Sequence, residues 1–430
     1  MSTALAWPST NLDQILRMIN LKFLCAAPIL LQTVQSRSFS RQGDVEYEFF
    51  YPKLQSDFKK GDNPPQWAQG YPKTWGSEDV RLQFNEPEPL DAFSAVVTDD
   101  EKYLAILNGS HVRFLDLDTK AAAATIDIGA PRDKFLLDLI LRSTPQGGYD
   151  LLMNGEPHDY RYIRDVTDVF HRRLGSDLKP IGGLVTYSGG GIGDFDSKGR
   201  MATAKGHIFD LNNHNGSSIV LKDFPPEIVG MSFSSDGRYL SSVGSSADLW
   251  NTSSGEKIFH FPAERPDTRL TKIAPDDKYV AIAAQLTFIQ LHALANLSAP
   301  PLFLGPFEGL IAEIAWSPDS KYLATSDDYR VQVWRFPEAL PYQTWQIDRS
   351  ENGASIPLSL QWLDDGKKLT FTHRFARYVY DFETNVKYWM TQGVKDHTWD
   401  PQSAGSIFFL KKRGLFATDG GDSYMRLWKA

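Results

Sequence analysis

The densest set of chemically capable side chains lies at Thr372-His373-Arg374-Phe375-Ala376-Arg377-Tyr378. An imidazole, two guanidinium groups and a phenol in so short a span can hold an anionic or enolic oxygen through charge-assisted hydrogen bonds. Asp328-Tyr329-Arg330 and the trio Lys395, His397 and Trp399 are further polar and aromatic sets, and Trp362 lies between them. A charged surface rim accounts for the same residues equally well.

Other chemistries find less support. Gly189-Gly190-Gly191-Ile192-Gly193 has the composition of a phosphate loop, but such a loop needs a following helix, and here Asp194-Phe195-Asp196 leads into another turn. The expected role of this run is entry into a crowded inner strand. The nine histidines lack metal-ligand spacing, and no Gly-x-Ser-x-Gly elbow is present. Turn geometry accounts for Asp327, Asp328, Asp419 and Asp422 without a cation, and His158-Asp159-Tyr160 reads as a solvated loop. The sequence therefore calls for no metal and no cofactor.

The elements that must position these residues are strands. Glu313 to Trp334 reads as a short apolar strand, a Ser-Pro-Asp-Ser turn, a second strand from Lys321, a polar loop and a third strand ending on Trp334. Alternation of Ile314 and Trp316 with Ala315, and of Val331 and Val333 with Gln332, fits half-buried strands. Related turns recur at Asp100-Glu101-Lys102, Asp196-Ser197-Lys198-Gly199, Ser235-Asp236-Gly237-Arg238, Pro275-Asp276-Asp277-Lys278 and Asp364-Asp365-Gly366-Lys367. Tyr424 to Trp428 repeats the third strand. Such units cannot bury their faces alone and require neighbours of the same kind.

On these repeats the segment from Asp79 to Ala430 resembles the WD40-like β-propeller family, in which each unit forms a four-stranded blade. The resemblance implies an all-β propeller of seven or eight four-stranded blades. Innermost strands starting near Phe93, Leu136, Gly191, Ile228, Thr268, Ile311, Leu358 and Ser406 favour eight. The stretch Tyr160 to Gly175 reads as an insert or short helix, which leaves seven open. Val80 to Phe84 is expected to close the ring beside Tyr424 to Trp428 and so remove an exposed sheet edge. No unit starts with Gly-His or ends in Trp-Asp, so the hydrogen-bond network built on those residues is expected to be absent.

A net charge of −8 disfavours nucleic acid as a partner. Phe23 to Leu31 is too short to span a bilayer and, with Val34-Gln35-Ser36 after it, reads as a signal peptide. Residues 1–36 are then a leader, 37–78 an irregular segment and 79–430 the propeller. The only cysteine, Cys25, falls in the leader. Sequons at Asn108, Asn215, Asn251 and Asn296 add to the expectation of a glycoprotein of the secretory pathway, secreted or vesicular. Nothing in the sequence specifies an oligomeric state.

A secretory, sequon-bearing propeller without cysteine in its mature part also looks like the fungal propellers that act as hetero-Diels-Alderases on tropolone sesquiterpenoids. That resemblance implies a cofactor-free cyclase joining a tropolone quinone methide to a humulene-type terpene, a small hydrophobic substrate. Beside it, His373, Arg374, Arg377 and Tyr378 would polarise the tropolone oxygens, and His373 or His397 would assist loss of water. Tyr329, Trp362 and Trp399 would wall the pocket, with Lys395 nearby. The competing reading is a secreted, non-catalytic interaction scaffold, the common role of such folds.

Overall fold

The computed structural model describes residues 54–83, 93–131, 134–144, 146–157, 168–213, 217–262, 270–283, 287–348, 357–373, 376–391, 407–419 and 424–430. They form eight antiparallel sheets arranged as a propeller. From the innermost strand outward, blade 1 is Phe93–Val97, Tyr103–Asn108, His111–Asp116 and Ala121–Asp127. Blade 2 is Lys134–Ser143, Tyr149–Pro157, Asp168–Leu174 and Pro180–Ser188. Blades 3 to 5 run from Ile192 to Val220, Ile228 to His260 and Thr271 to Leu304. Blade 6 is Glu313–Trp316, Tyr322–Ser326, Arg330–Arg335 and Leu340–Ile347, and blade 7 is Leu358–Leu363, Lys368–His373, Ala376–Asp381 and Val386–Thr391. Blade 8 takes Ile407–Leu410, Leu415–Asp419 and Tyr424–Lys429 from the C-terminus.

The ring closes as the apolar pattern required. Val80–Gln83 is the outermost strand of blade 8, with Met425 opposite Leu82 and Leu427 opposite Val80. Leu82, Met425 and Leu427 enter one apolar cluster with Leu104 and Leu115 of blade 1, so closure and the first interface share a core. Phe84 lies outside the described residues.

Two expectations are corrected. Within Tyr160 to Gly175, Asp168–Leu174 is the third strand of a complete blade 2, pairing on both sides, and this gives eight blades. Alternating Val169, His171 and Arg173 carry the period-two signal, masked in sequence by the polarity of His171 and Arg173. The tryptophan-centred network is also present in part. Trp250, Trp334 and Trp428 donate from Nε1 to Ser242, Thr325 and Thr418 at 2.9, 3.0 and 2.8 Å. A third-strand indole can reach a second-strand hydroxyl without the Gly-His or Asp partners.

Residues 54–79 strap the outside of blades 6 to 8. Leu54–Ser56 adds a fifth strand to blade 6, and Gln66–Trp67 and Lys73–Thr74 pair parallel with the outer strand of blade 7. Phe58 is fully buried, its ring 5.3 Å from Tyr380 and 6.2 Å from Tyr378. Asp57 accepts from the Tyr378 hydroxyl and from Lys387 Nζ at 2.5 Å.

Alternation of strand direction gives the ring two faces. Turns between second and third strands, and the crossovers between blades, share the upper face; turns between first and second strands share the lower.

Candidate functional site

The candidate site is the upper end of the interface between blades 6 and 7. In blade 6, Val331 pairs with Ser326 on one side and Trp345 on the other. In blade 7, Ala376 pairs likewise with His373 and Thr391. Directly opposed residues share a sheet face. Val331, Trp345 and Ala376 belong to one apolar cluster between these blades, so the two rows look at each other. Trp345 meets His373 edge-on at 5.3 Å and Phe371 at 4.7 Å, and Phe371 stacks on Tyr378 at 4.9 Å. Tyr329 packs on the same cluster from the turn above.

This arrangement redistributes the residues singled out in sequence. His373 ends the second strand of blade 7, while Arg377 and Tyr378 lie in the third, so the sheet and not a loop carries them. His373, Arg377 and Tyr378 are 1, 2 and 0% exposed, which removes the surface-rim reading for them. Successive strand residues point to opposite faces. Tyr378 and His373 therefore face blade 6, whereas Arg377 sits level with Met390, which packs towards blade 8. Trp362 stands towards the lower end, stacked 6.0 Å from Tyr322, its Nε1 donating to the Ala315 carbonyl at 2.9 Å. The interface thus gathers His373, Tyr378 and Tyr329, and separates Arg377 and Trp362 from their upper end. Arg374, Lys395, His397 and Trp399 lie outside the described residues.

The turn acids are accounted for by backbone. Buried Asp327 accepts from the amides of Tyr329 and Arg330 and from Arg330 Nε, each at 3.0 Å, and from the Glu308 amide at 3.2 Å. Burial pushes the Asp328 carboxyl up, against a weak contact from the Leu310 amide at 3.4 Å. The glycine run hugs the upper turn of blade 3: Gly189 and Gly191 carbonyls accept from Lys205 and Ala204 amides at 3.0 and 2.9 Å. A Cβ at Gly189 would stand 2.9 Å from Thr203 Oγ1, so close approach explains the glycine.

Sequence reasoning passed over Trp345, the aromatic wall of this site, and two acids on inner strands. Asp138 has a left-handed φ of 54° and accepts from Asn154 Nδ2 at 3.0 Å; Asn154 in turn accepts the Ile192 amide of blade 3 at 3.0 Å. Burial raises the Asp138 carboxyl, only partly offset by Asn154. Burial likewise raises Asp194, which takes the Phe233 amide at 2.7 Å and feels the charge of Lys272. An Asp inside Leu136-Leu137-Asp138-Leu139-Ile140-Leu141 was a readable signal.

Asn108 is exposed in an upper turn of blade 1. Asn251 is half-buried, its Oδ1 accepting the Ser253 and Ser254 amides at 2.9 and 3.1 Å, and Asn296 is exposed in a lower turn. Asn215 and the leader lie outside the described residues. Among the described residues no helix is long and apolar enough to cross a membrane.

Fold and interface together define an eight-bladed β-propeller with a buried polar-aromatic cluster between two blades. No family model and no curated protein matches the chain. Among solved structures it is similar to the computationally designed Ika8 protein, with a TM-score of 0.55 at 12% identity, over 79% of this chain and 96% of that one. At that identity the likeness speaks for the fold alone.

Proposed function

We propose that this propeller is a small-molecule enzyme, a cofactor-free cyclase of the hetero-Diels-Alder type within a WD40-like lineage, acting at the upper end of the blade 6–7 interface. The observation that carries the reading is the convergence of His373 with the Trp345, Phe371 and Tyr378 rings in a buried cluster. A tropolone quinone methide and a humulene-type alkene react by forming one C–C and one C–O bond, with no nucleophile. What the protein supplies is orientation in an apolar wall, which turns a bimolecular step into a nearly unimolecular one. His373 would relay the proton as hydroxymethyl tropolone loses water, and Tyr329 would flank the mouth. Arg377, facing blade 8, would act on this cluster only through the sheet that holds Tyr378. Secretion and glycosylation at Asn108 belong to the same reading.

The test is formation of cycloadduct from hydroxymethyl tropolone and humulenol, scored by rate and enantiomeric ratio against the uncatalysed reaction. Acceleration with a changed ratio supports the proposal; background values for both sink it. One observation favours the scaffold reading. The outer strands of blades 2 to 5 expose Ile181, Val220, Ile258 and Phe303 at 55, 54, 41 and 54%, apolar side chains on sheet edges that strand addition by a partner would cover.

A further inference from the structure

The two rows that face each other at the upper end of the blade 6–7 interface carry polar atoms that the fold itself does not use. Trp345 is 0% exposed, Ser326 1% and Thr391 4%. Among the described residues the Trp345 Nε1, Ser326 Oγ and Thr391 Oγ1 atoms have no hydrogen-bond partner. Three third-strand indoles of the ring differ in this respect: Trp250, Trp334 and Trp428 each find a hydroxyl partner within their own blade. Buried donors are paired in the great majority of cases, and leaving one unpaired opposes folding. Three such atoms flank Val331 and Ala376, the two small apolar residues at the centre of their rows. Apolar floor and polar edges together are the composition of a ligand site, where few polar groups orient a mostly hydrophobic molecule.

We infer that Trp345 Nε1, Ser326 Oγ and Thr391 Oγ1 form a binding site for an oxygen acceptor, such as a carbonyl or enol oxygen, on an otherwise apolar small molecule. The indole N–H is a donor only, and the two hydroxyls turn to donate or accept. A hydrocarbon of the same shape would leave all three unpaired, so the site discriminates by oxygen content and not by size. This rests on the proposed cyclase only in the choice of probe; the recognition itself needs no reaction.

The experiment is calorimetric titration of the full-length protein with tropolone and with cycloheptatriene, its hydrocarbon counterpart. The variants are Trp345→Phe, Thr391→Val and Ser326→Ala. Wild type is expected to prefer tropolone. Trp345→Phe and Thr391→Val should each cut tropolone affinity about tenfold, the scale of one hydrogen bond, and leave cycloheptatriene unchanged. Their melting temperatures should hold or rise, because a buried orphan polar atom has been replaced by an apolar one. Thr391→Val keeps the test valid should Trp345→Phe fail to fold. Tropolone binding that is equal in wild type and variants overturns the assignment of these atoms while leaving the cyclase reading standing. A wild type that binds neither probe, with variants that melt lower, shows the atoms to be partners of structural water and overturns the assignment outright. Loss of tropolone binding in the variants with no cycloadduct from wild type would keep the site and remove the cyclase.

Discussion

Replacing Asp277 by glycine should destabilise this protein although it relieves backbone strain. The turn between first and second strands needs a residue with positive φ. Gly199 and Gly237 fill that place in blades 3 and 4, but Glu101, Asp277 and Ser320 fill it in blades 1, 5 and 6 with φ of 56°, 57° and 58°. Each non-glycine residue reaches to the preceding blade. Asp277 takes the amides of Ser235 and Asp236 at 2.6 and 3.0 Å, Ser320 Oγ takes that of Asp276 at 2.9 Å, and the Glu101 carboxylate takes that of Lys412 at 3.1 Å. A left-handed L-residue costs about 1 kcal/mol, less for Asp, while each hydrogen bond to a charged group contributes roughly 1.5 kcal/mol at a partly solvated site. Two bonds lost, strain relieved and about 0.7 kcal/mol of glycine chain entropy added leave Asp277→Gly about 2 to 3 kcal/mol less stable. At about 2.1 cal/mol/K of unfolding entropy per residue, a ring of this size loses roughly 3 to 4 °C in Tm. Asp277→Asn, which keeps one acceptor, should lose about half as much. Differential scanning calorimetry decides; a glycine variant at or above the wild-type Tm refutes the idea that lower-face turns stitch the blades.

Three further outcomes follow from the same geometry. Phe58→Ala, which empties a fully buried site ringed by Phe371, Tyr378, Tyr380 and Phe382, should cost about 3 to 5 kcal/mol in chemical denaturation; a loss under 1 kcal/mol would mean the strap is only laid on. Asp138→Asn should stabilise at neutral pH and converge with wild type in acid: a carboxyl raised by burial opposes folding once pH exceeds its unfolded value, and the asparagine carries no such charge. Asp150→Asn should do the reverse. Burial alone would raise Asp150, but hydrogen bonds from His171 at 2.8 Å and Arg173 at 2.7 Å hold it low, so its stabilisation is present above the unfolded pKa and fades as pH falls through the folded one. Denaturation midpoints from pH 3 to 8 check both signs.

Much of the ring was readable because its information is local. Asp-bearing turns mark six of the eight blades and alternation points to an inner strand in each of the eight, with a ring of seven left open by the stretch Tyr160 to Gly175; Val80–Gln83 lies beside Tyr424–Lys429 because both carry the same alternation. Blade 2 was obscured where polar residues occupy inward positions: Asp150 and His171 are buried, with Arg173 half-buried against Asp150, so their face looks hydrophilic in sequence. The strap escaped notice because its strands are only two or three residues long, too short for a period. The site was half legible. His373 and Tyr378 stand out by type, but which face each takes depends on parity within a strand whose start sequence alone does not fix; Arg377, one residue away, goes to the other side. Trp345 gave no signal, because one tryptophan in an outer strand reads as core until its N–H is seen to lack a partner among the described residues.

The claim that the upper end of the blade 6–7 interface is the functional site is tested most directly by a crystal structure of the protein soaked with tropolone. The account predicts ordered density against Val331 and Ala376, with an oxygen about 2.9 Å from Trp345 Nε1 and within hydrogen-bond reach of Thr391 Oγ1. Density on the propeller axis beside Asp138 and Asp194, or an interface closed over the two rows with a lone water between them, would contradict it.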